Sequence, residues 1–298
     1  MEFPKTILEF EKRFSTDKAC GIYLEKVRWP EGFKCPGCGK KKAWPTKRGT
    51  YFCQHCHRQS SVTAGTIFHR TKLPLTIWFG AIWLIVGDKG GISSLGCKRQ
   101  LGLKRYETAW KILKKLRLAT IRPDRELLSG QIEVDETLVG GNKIPRGLSK
   151  KRALVIIAAE VDDQGAIRRI RMQLLEKRTS DAIENFVLRN IRGNSIIITD
   201  GYAGYLGLRG RGYLHQALPG YSPDPENLLP AVHRVASLLK RWLLGTYHGR
   251  VMKTHLNGYL EEFVFRFNRR NSESRGKLFQ RLLEQCVLTK PDTTYRRN

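Results

Sequence analysis

Four cysteines stand in two Cys-x-x-Cys pairs, Cys35/Cys38 and Cys53/Cys56, with fourteen residues between the pairs. Zinc takes four soft ligands in a tetrahedron, and two short knuckles joined by a hairpin supply them. The knuckles KCPGCGK and YFCQHCH carry the small and turn-forming residues that let the sulfurs converge. Two disulfides are the competing reading of this spacing. His55 and His57 flank the second pair but are surplus to a complete ligand set. Two aspartates carry a different chemistry. Asp135 sits inside the strand-like run QIEVDETLV, and Asp200 closes the apolar run SIIITD. Carboxylates are hard oxygen ligands of the kind Mg²⁺ requires, and paired ions of that type drive phosphodiester chemistry.

The surrounding chain must position these groups. Its 298 residues carry 54 Lys and Arg against 27 Asp and Glu, a net charge of +27. The excess is uneven: +16 over residues 1–130, +2 over 131–230 and +9 over 231–298. Basic ends around a nearly neutral middle suit a polyanion gripped at both sides of a site with its own acids. Neutralising phosphates releases counterions and so favours nucleic-acid binding, though an RNA or membrane-surface partner would draw a similar excess. The remaining cysteines, Cys20, Cys97 and Cys286, are scattered singles, which suits a reducing compartment. No apolar run opens the chain, so no signal peptide is expected. TIWFGAIWLIVG, residues 76–87, is too short to span a bilayer and reads as a buried helix. No membrane partner is expected.

Three segments follow from the patterning. Residues 1–70 read as an N-terminal helical stretch over 1–29 and then the zinc ribbon. Residues 71–125 read as helical, with an apolar helix over 73–86. A short helix capped by Ser93 or Ser94, a turn at Leu101-Gly102-Leu103 and a basic helix over 106–118 complete it. Helix, Gly-containing turn and basic helix match a helix-turn-helix, with Lys111, Lys114 and Lys115 as candidate DNA contacts beside Arg117. Residues 126–298 read as the catalytic domain with a basic helical tail. Strands are expected over 131–139, 153–161 and 167–175, a helix capped by Ser180 through 189, and a strand over 195–199. A loop rich in Gly and Pro then runs to Pro230, followed by helices over 232–244 and 259–267.

Three hairpin-like strands, a helix and a strand ending in an acid make the order of a ribonuclease-H-like core. The expected class is therefore α/β: a ribonuclease-H-like core preceded by a zinc ribbon and a helix-turn-helix. In that layout Asp135 and Asp200 lie on neighbouring parallel strands, about 5 Å apart, and meet on one metal pair. Glu133 and Glu136 flank Asp135 and are expected on the opposite face of the strand.

The motifs EVDETLVGG, IIITDGYAGY, VHRVASLLKRWLLGTYHGRV and YLEEFVFRFNRR resemble the zinc-ribbon DDE transposases of bacterial insertion sequences, in the insertion sequence 1595 family. The resemblance covers nearly the whole chain, and its motifs are specific in combination. It implies a catalytic domain that cuts transposon ends and joins them to target DNA with Mg²⁺. The first family acid falls on Asp135 and the second on Asp200. The third family position lies seven residues before a Lys, here Lys240, and is occupied by His233. A neutral imidazole binds metal but adds no negative charge, which favours Mn²⁺ over Mg²⁺. Asp224 or Glu226 in the preceding loop is the alternative third ligand. Lys240, on the face of His233, is implied to contact DNA near the transposon end, with Arg241 beside it and Arg269 and Arg270 in the tail. The implied partners are transposon ends, target DNA and further copies of the chain, a dimer or larger, in the bacterial cytoplasm at the nucleoid. Two rivals stay open: a catalytically inactive zinc-ribbon DNA-binding protein, and a structure-specific nuclease on the same core.

Overall fold

Two threonines break the N-terminal helical stretch into two helices. Thr6 caps α1 (Ile7–Arg13) and Thr16 caps α2 (Asp17–Arg28), each accepting a backbone N–H from the first turn. The computed structural model describes residues 3–87, 90–122, 124–140, 152–218, 228–249 and 251–291. The chain divides into two units, residues 1–122 with 272–298, and residues 123–271.

In the first unit, β1 (Ala43–Pro45), β2 (Thr50–Cys53) and β3 (Gln59–Ser61) form an antiparallel ribbon in the order β1-β2-β3. Tyr51 seats one face of this ribbon against Trp29 and Phe33, and its hydroxyl donates to Glu25 of α2. Helix α3 (Leu75–Gly87) buries residues all round, including Trp78, Phe79, Ile82 and Ile85. Such a helix belongs inside a core. Among the described residues no helix is long and apolar enough to cross a membrane. Ser93 caps α4 (Ser94–Gln100). Gly102, at φ +62°, makes the turn into α5 (Tyr106–Ala119), a conformation that favours glycine. Helix α5 buries Ala109, Ile112, Leu113 and Leu116, the stripe of an amphipathic helix.

The second unit is built on one five-stranded sheet. Strands β4 (Gln131–Val139), β5 (Ala153–Val161) and β6 (Ile167–Leu175) are antiparallel neighbours, spanning the residues expected. Helix α6 (Ser180–Asn190) follows, capped by Thr179 rather than Ser180. Strand β7 (Ile196–Thr199) then pairs parallel to β4, and β8 (Leu214–Ala217) parallel to β7, for the order β6-β5-β4-β7-β8. This is the strand order of a ribonuclease-H-like core. A 3-10 helix over Ala203–Arg211 and strand β8 occupy part of the stretch expected to be loop. Both faces of the sheet are covered. Helices α7 (Pro230–Tyr247) and α8 (Lys253–Phe267) lie on the face of Val155, Ile157 and Ala159. On the other face, α6 and the 3-10 helix cover Ile132, Val134, Ile156 and Ala158.

The last helix, α9 (Arg275–Leu288), lies in the part of the sequence grouped with the catalytic domain, yet it packs on α2, α3 and α5 of the first unit. Phe279 meets Phe10, Phe14, Phe79 and Trp83 in one aromatic cluster. At Gly276 a side chain would collide with the Pro4 carbonyl, so the approach requires glycine. Phe279, Leu282 and Leu283 are wholly buried, and burying three such side chains contributes roughly 5–9 kcal/mol. That is comparable with a whole domain's stability. Deleting residues 272–298 is therefore expected to unfold residues 3–122. A thermal scan followed by near-UV circular dichroism should lose one transition and keep that of 123–271.

Candidate active site and zinc site

The register of β4 against β7 sets the acidic pair. Gln131 lies opposite Ile196, Ile132 opposite Ile197 and Glu133 opposite Ile198, and the same offset carried on puts Asp135 level with Asp200. Asp200 lies just past the carboxyl end of β7, and its charge helps raise the Asp135 carboxyl. On the same face of the sheet, α7 brings His233, whose Nε2 lies 3.6 Å from Asp135 Oδ2. Two ligand atoms that each sit about 2.1 Å from one ion can be no more than about 4.2 Å apart, so this pair fits a shared cation. The ligand atoms of Asp135, Asp200 and His233 do not all lie within 4.8 Å of one another; among the described residues only the four cysteines form such a group. Asp224 and Glu226 lie outside the described residues.

Asp135 is strongly perturbed. Burial pushes its carboxyl up to about 6, helped by the charges of Glu136 and Asp200 and opposed by the Glu136 amide and His233. Its Oδ1 accepts the Glu136 N–H at 2.7 Å. Asp200 is held differently: Oδ1 accepts from the Tyr202 N–H at 3.2 Å, and Oδ2 lies 3.4 Å from the Arg178 guanidinium.

The two flanking glutamates part company, which corrects the expectation that both point away from Asp135. A strand repeats its faces every two residues, so Glu136 turns away but Glu133 shares the face of Asp135. Glu133 is buried, and its Oε2 accepts the N–H groups of Ala231 at 2.8 Å and Val232 at 3.0 Å, the first turn of α7. An anion there satisfies orphan donors and complements the helix dipole. Burial raises its pKa, against the lowering pull of those amides and His233. This bond fixes the start of the helix that carries His233. Glu133→Ala would strand two buried donors and is expected to destabilise the second unit by about 2–4 kcal/mol. Glu133→Gln keeps an acceptor and should lose less than half as much, as urea unfolding would read.

On the opposite face Glu136 accepts from Arg178 at 2.9 Å and from the Tyr205 hydroxyl at 2.9 Å. Arg178 also lies 3.7 Å over the Tyr202 ring. Burial opposes the charge on Arg178, but Glu136 and Asp200 outweigh it and raise its pKa. Burial and Glu136 likewise keep the Tyr205 phenol protonated far above its ordinary range. Arg178, Tyr202 and Tyr205 thus form a clamp between Glu136 and Asp200 that no local pattern announces. Only the position of Arg178 at the mouth of α6 could have hinted at it.

The four cysteine sulfurs lie within 4.8 Å of one another, with Cys35 to Cys56 at 3.5 Å and Cys38 to Cys53 at 3.6 Å. A tetrahedron with zinc–sulfur bonds of about 2.3 Å has edges of about 3.8 Å. A disulfide would need about 2.05 Å. The donor set fits zinc. His55 and His57 are both exposed and do not join the group.

The basic residues are not equivalent. Lys240 and Arg241 are exposed on α7, and Lys240 lies two turns from His233 on the same face. Lys111 is exposed on α5, while Lys114 lies 5.6 Å over the Trp110 ring. Lys115 is turned inward: its ammonium donates to the Ile67 carbonyl at 3.4 Å and lies over Trp78, and Arg117 is buried. Arg269 donates to the Phe265 carbonyl at 3.1 Å. Arg270 donates to the carbonyls of Ile167, Arg168 and Phe267, tying α8 to the edge of β6. Lys115, Arg269 and Arg270 therefore have structural engagements that the expectation of DNA contact did not foresee.

Residues 127–268 match the ISXO2-like transposase domain, and residues 15–59 match the transposase zinc-ribbon domain. The chain belongs to the zinc-ribbon transposases of the insertion sequence 1595 family. It is also similar to an uncharacterized protein in transposable element ISH50 of Halobacterium salinarum, 24% identical over 86% of this chain and 92% of that one. Among solved structures, the catalytic core domain of BIV integrase aligns over 45% of this chain and 81% of that one, at 15% identity and a TM-score of 0.29. The transposase domain holds Asp135, Asp200 and His233, and the ribbon domain holds all four cysteines.

Proposed function

We propose that this transposase cleaves DNA at transposon ends and transfers the freed 3′ strand to target DNA. The observation that carries the reading is Asp135 level with Asp200 across β4 and β7, with His233 3.6 Å away. Divalent ions, Mg²⁺ or Mn²⁺, would supply nucleophile activation and stabilisation of the leaving 3′ oxygen. Asp135, Asp200 and His233 would hold these ions. Arg178 neutralises Asp200 and would compete with a bound cation for its carboxylate. Lys240 and Arg241, along the face and edge of the helix carrying His233, would hold phosphates of the bound end. The ribbon and the exposed start of α5 would hold the repeat sequence. Two ends must be joined, so a dimer or larger synapse is required.

A strand-transfer assay tests this. Purified protein is mixed with labelled end DNA and a target plasmid, with Mg²⁺ or Mn²⁺. Metal-dependent nicking plus a joined product is expected. Nicking without joining would point to a nuclease. Tight end binding with no cleavage under either ion would point to a DNA-binding protein, with the missing charge at His233 as its cause.

A further inference from the structure

The uncovered face of the zinc ribbon has a specific chemistry. Trp44 on β1 lies opposite Phe52 on β2, and their rings are parallel to within 5° at a centroid distance of 6.2 Å. The His57 ring continues the row, 5.8 Å from Phe52. Trp44 is 61% exposed, while Tyr51 on the other face is spent on Trp29 and Phe33. An indole held parallel to a neighbouring ring and left open to water gains nothing for folding from its outer surface. Lys42, exposed, immediately precedes β1. Between Gly32 and Gly87 the chain has nine Lys and Arg and no Asp or Glu. Exposed aromatic rings set among cations fit a nucleic acid, whose bases stack and whose phosphates pair.

We propose that Trp44 and Phe52 form a stacking platform for an unpaired DNA base, so that the ribbon grips a single-stranded or splayed stretch of the DNA. The proposal rests on the reading of this chain as a DNA-handling transposase and adds what the ribbon recognises. Stacking contributes about 1–3 kcal/mol per base, a factor of roughly 5 to 150 in affinity. It involves no phosphate, so it leaves the salt dependence unchanged.

The test is binding of a labelled oligothymidylate and of a duplex of equal length to the full chain, without divalent metal so that cleavage plays no part. Trp44→Ala is expected to weaken the single strand at least fivefold and the duplex far less, with an unchanged salt slope. Trp44→Phe should retain most of the affinity, and Lys42→Ala should instead lower the slope by about one. Zinc content of each variant reports that the ribbon is intact. In the wild-type protein, ultraviolet crosslinking to a bromouracil oligonucleotide should map to the peptide carrying Trp44. Equal loss on both DNAs, wild-type single-strand affinity in Trp44→Ala, or a crosslink elsewhere would overturn the platform. A failure of strand transfer alone would count against the catalytic reading and leave this one standing.

Discussion

Replacing Asp135 by asparagine is expected to abolish cleavage and joining, by at least about a thousandfold, with the fold intact. Asparagine has nearly the shape of aspartate but neither its charge nor its second anionic oxygen, and removing a central catalytic group costs on this scale or more. Asp135 lies 3.6 Å from His233 and feels the charges of Asp200 and Glu136. Its loss should therefore remove both metal positions, whereas Asp200→Asn or His233→Ala should each weaken one. The raised pKa of Asp135, about 6 with burial as the main cause, gives a second readout. A cation binds the ionised carboxylate, so below pH 6 a proton competes and apparent metal affinity should fall about tenfold per pH unit. Without metal the sign reverses. The folded protein holds this proton more tightly than the unfolded chain, so stability should fall as pH rises from the ordinary carboxylate range through about 6. Isothermal titration with Mn²⁺ at several pH values, on wild-type and Asp135→Asn, checks the first, and urea unfolding without metal over the same pH range checks the second. Wild-type metal affinity in the asparagine variant would remove Asp135 from the site.

Much of this arrangement was written in local patterns. Strands β4, β5 and β6 span the residues expected of them, and the β4–β7 register, carried past the end of β7, sets Asp135 level with Asp200. What escaped the sequence was long-range. Strand β8 is four residues with only His215 buried, too short to stand out from a Gly-rich loop. Helix α9 carries Phe279, Leu282, Leu283 and Cys286 at helical spacing behind a Ser274 cap, but a basic tail masked its apolar stripe. Glu133 was legible and misread, since the two-residue period alone puts it on the face of Asp135. Arg178, Tyr202 and Tyr205 come from separate elements and meet only in the folded sheet. His233 was picked out only by the resemblance, which sets that position seven residues before Lys240, and its contact with Asp135 depends on where Glu133 pins α7.

Stripping zinc is expected to unfold the ribbon while residues 123–271 keep their own transition. The ribbon's three strands have three, four and three residues, and its described core is little more than Cys35, Cys53, Ser60 and the Trp29–Phe33–Tyr51 stack. So small a sheet is not independently stable in water, and a structural zinc site contributes on the order of 10 kcal/mol of apparent folding free energy. Without the metal the four thiols work against one another. Burial resists ionisation of Cys35, yet the Cys38 and Gly37 amides and neighbouring thiols bring it down to about 6. At Cys38 the Lys40 amide pulls down, but burial and the neighbouring thiols push it up to about 12. One thiolate thus holds the next protonated, and only a dication lets all four share the space. Metal analysis should find one zinc per chain, lost in Cys35→Ser and Cys53→Ser and kept in Cys20→Ala, whose thiol is buried elsewhere. A chelator should abolish DNA binding by the ribbon at neutral pH, and added zinc should restore it. If a reductant opened the ribbon and a chelator did not, the cysteines would be disulfides and the zinc assignment would fall.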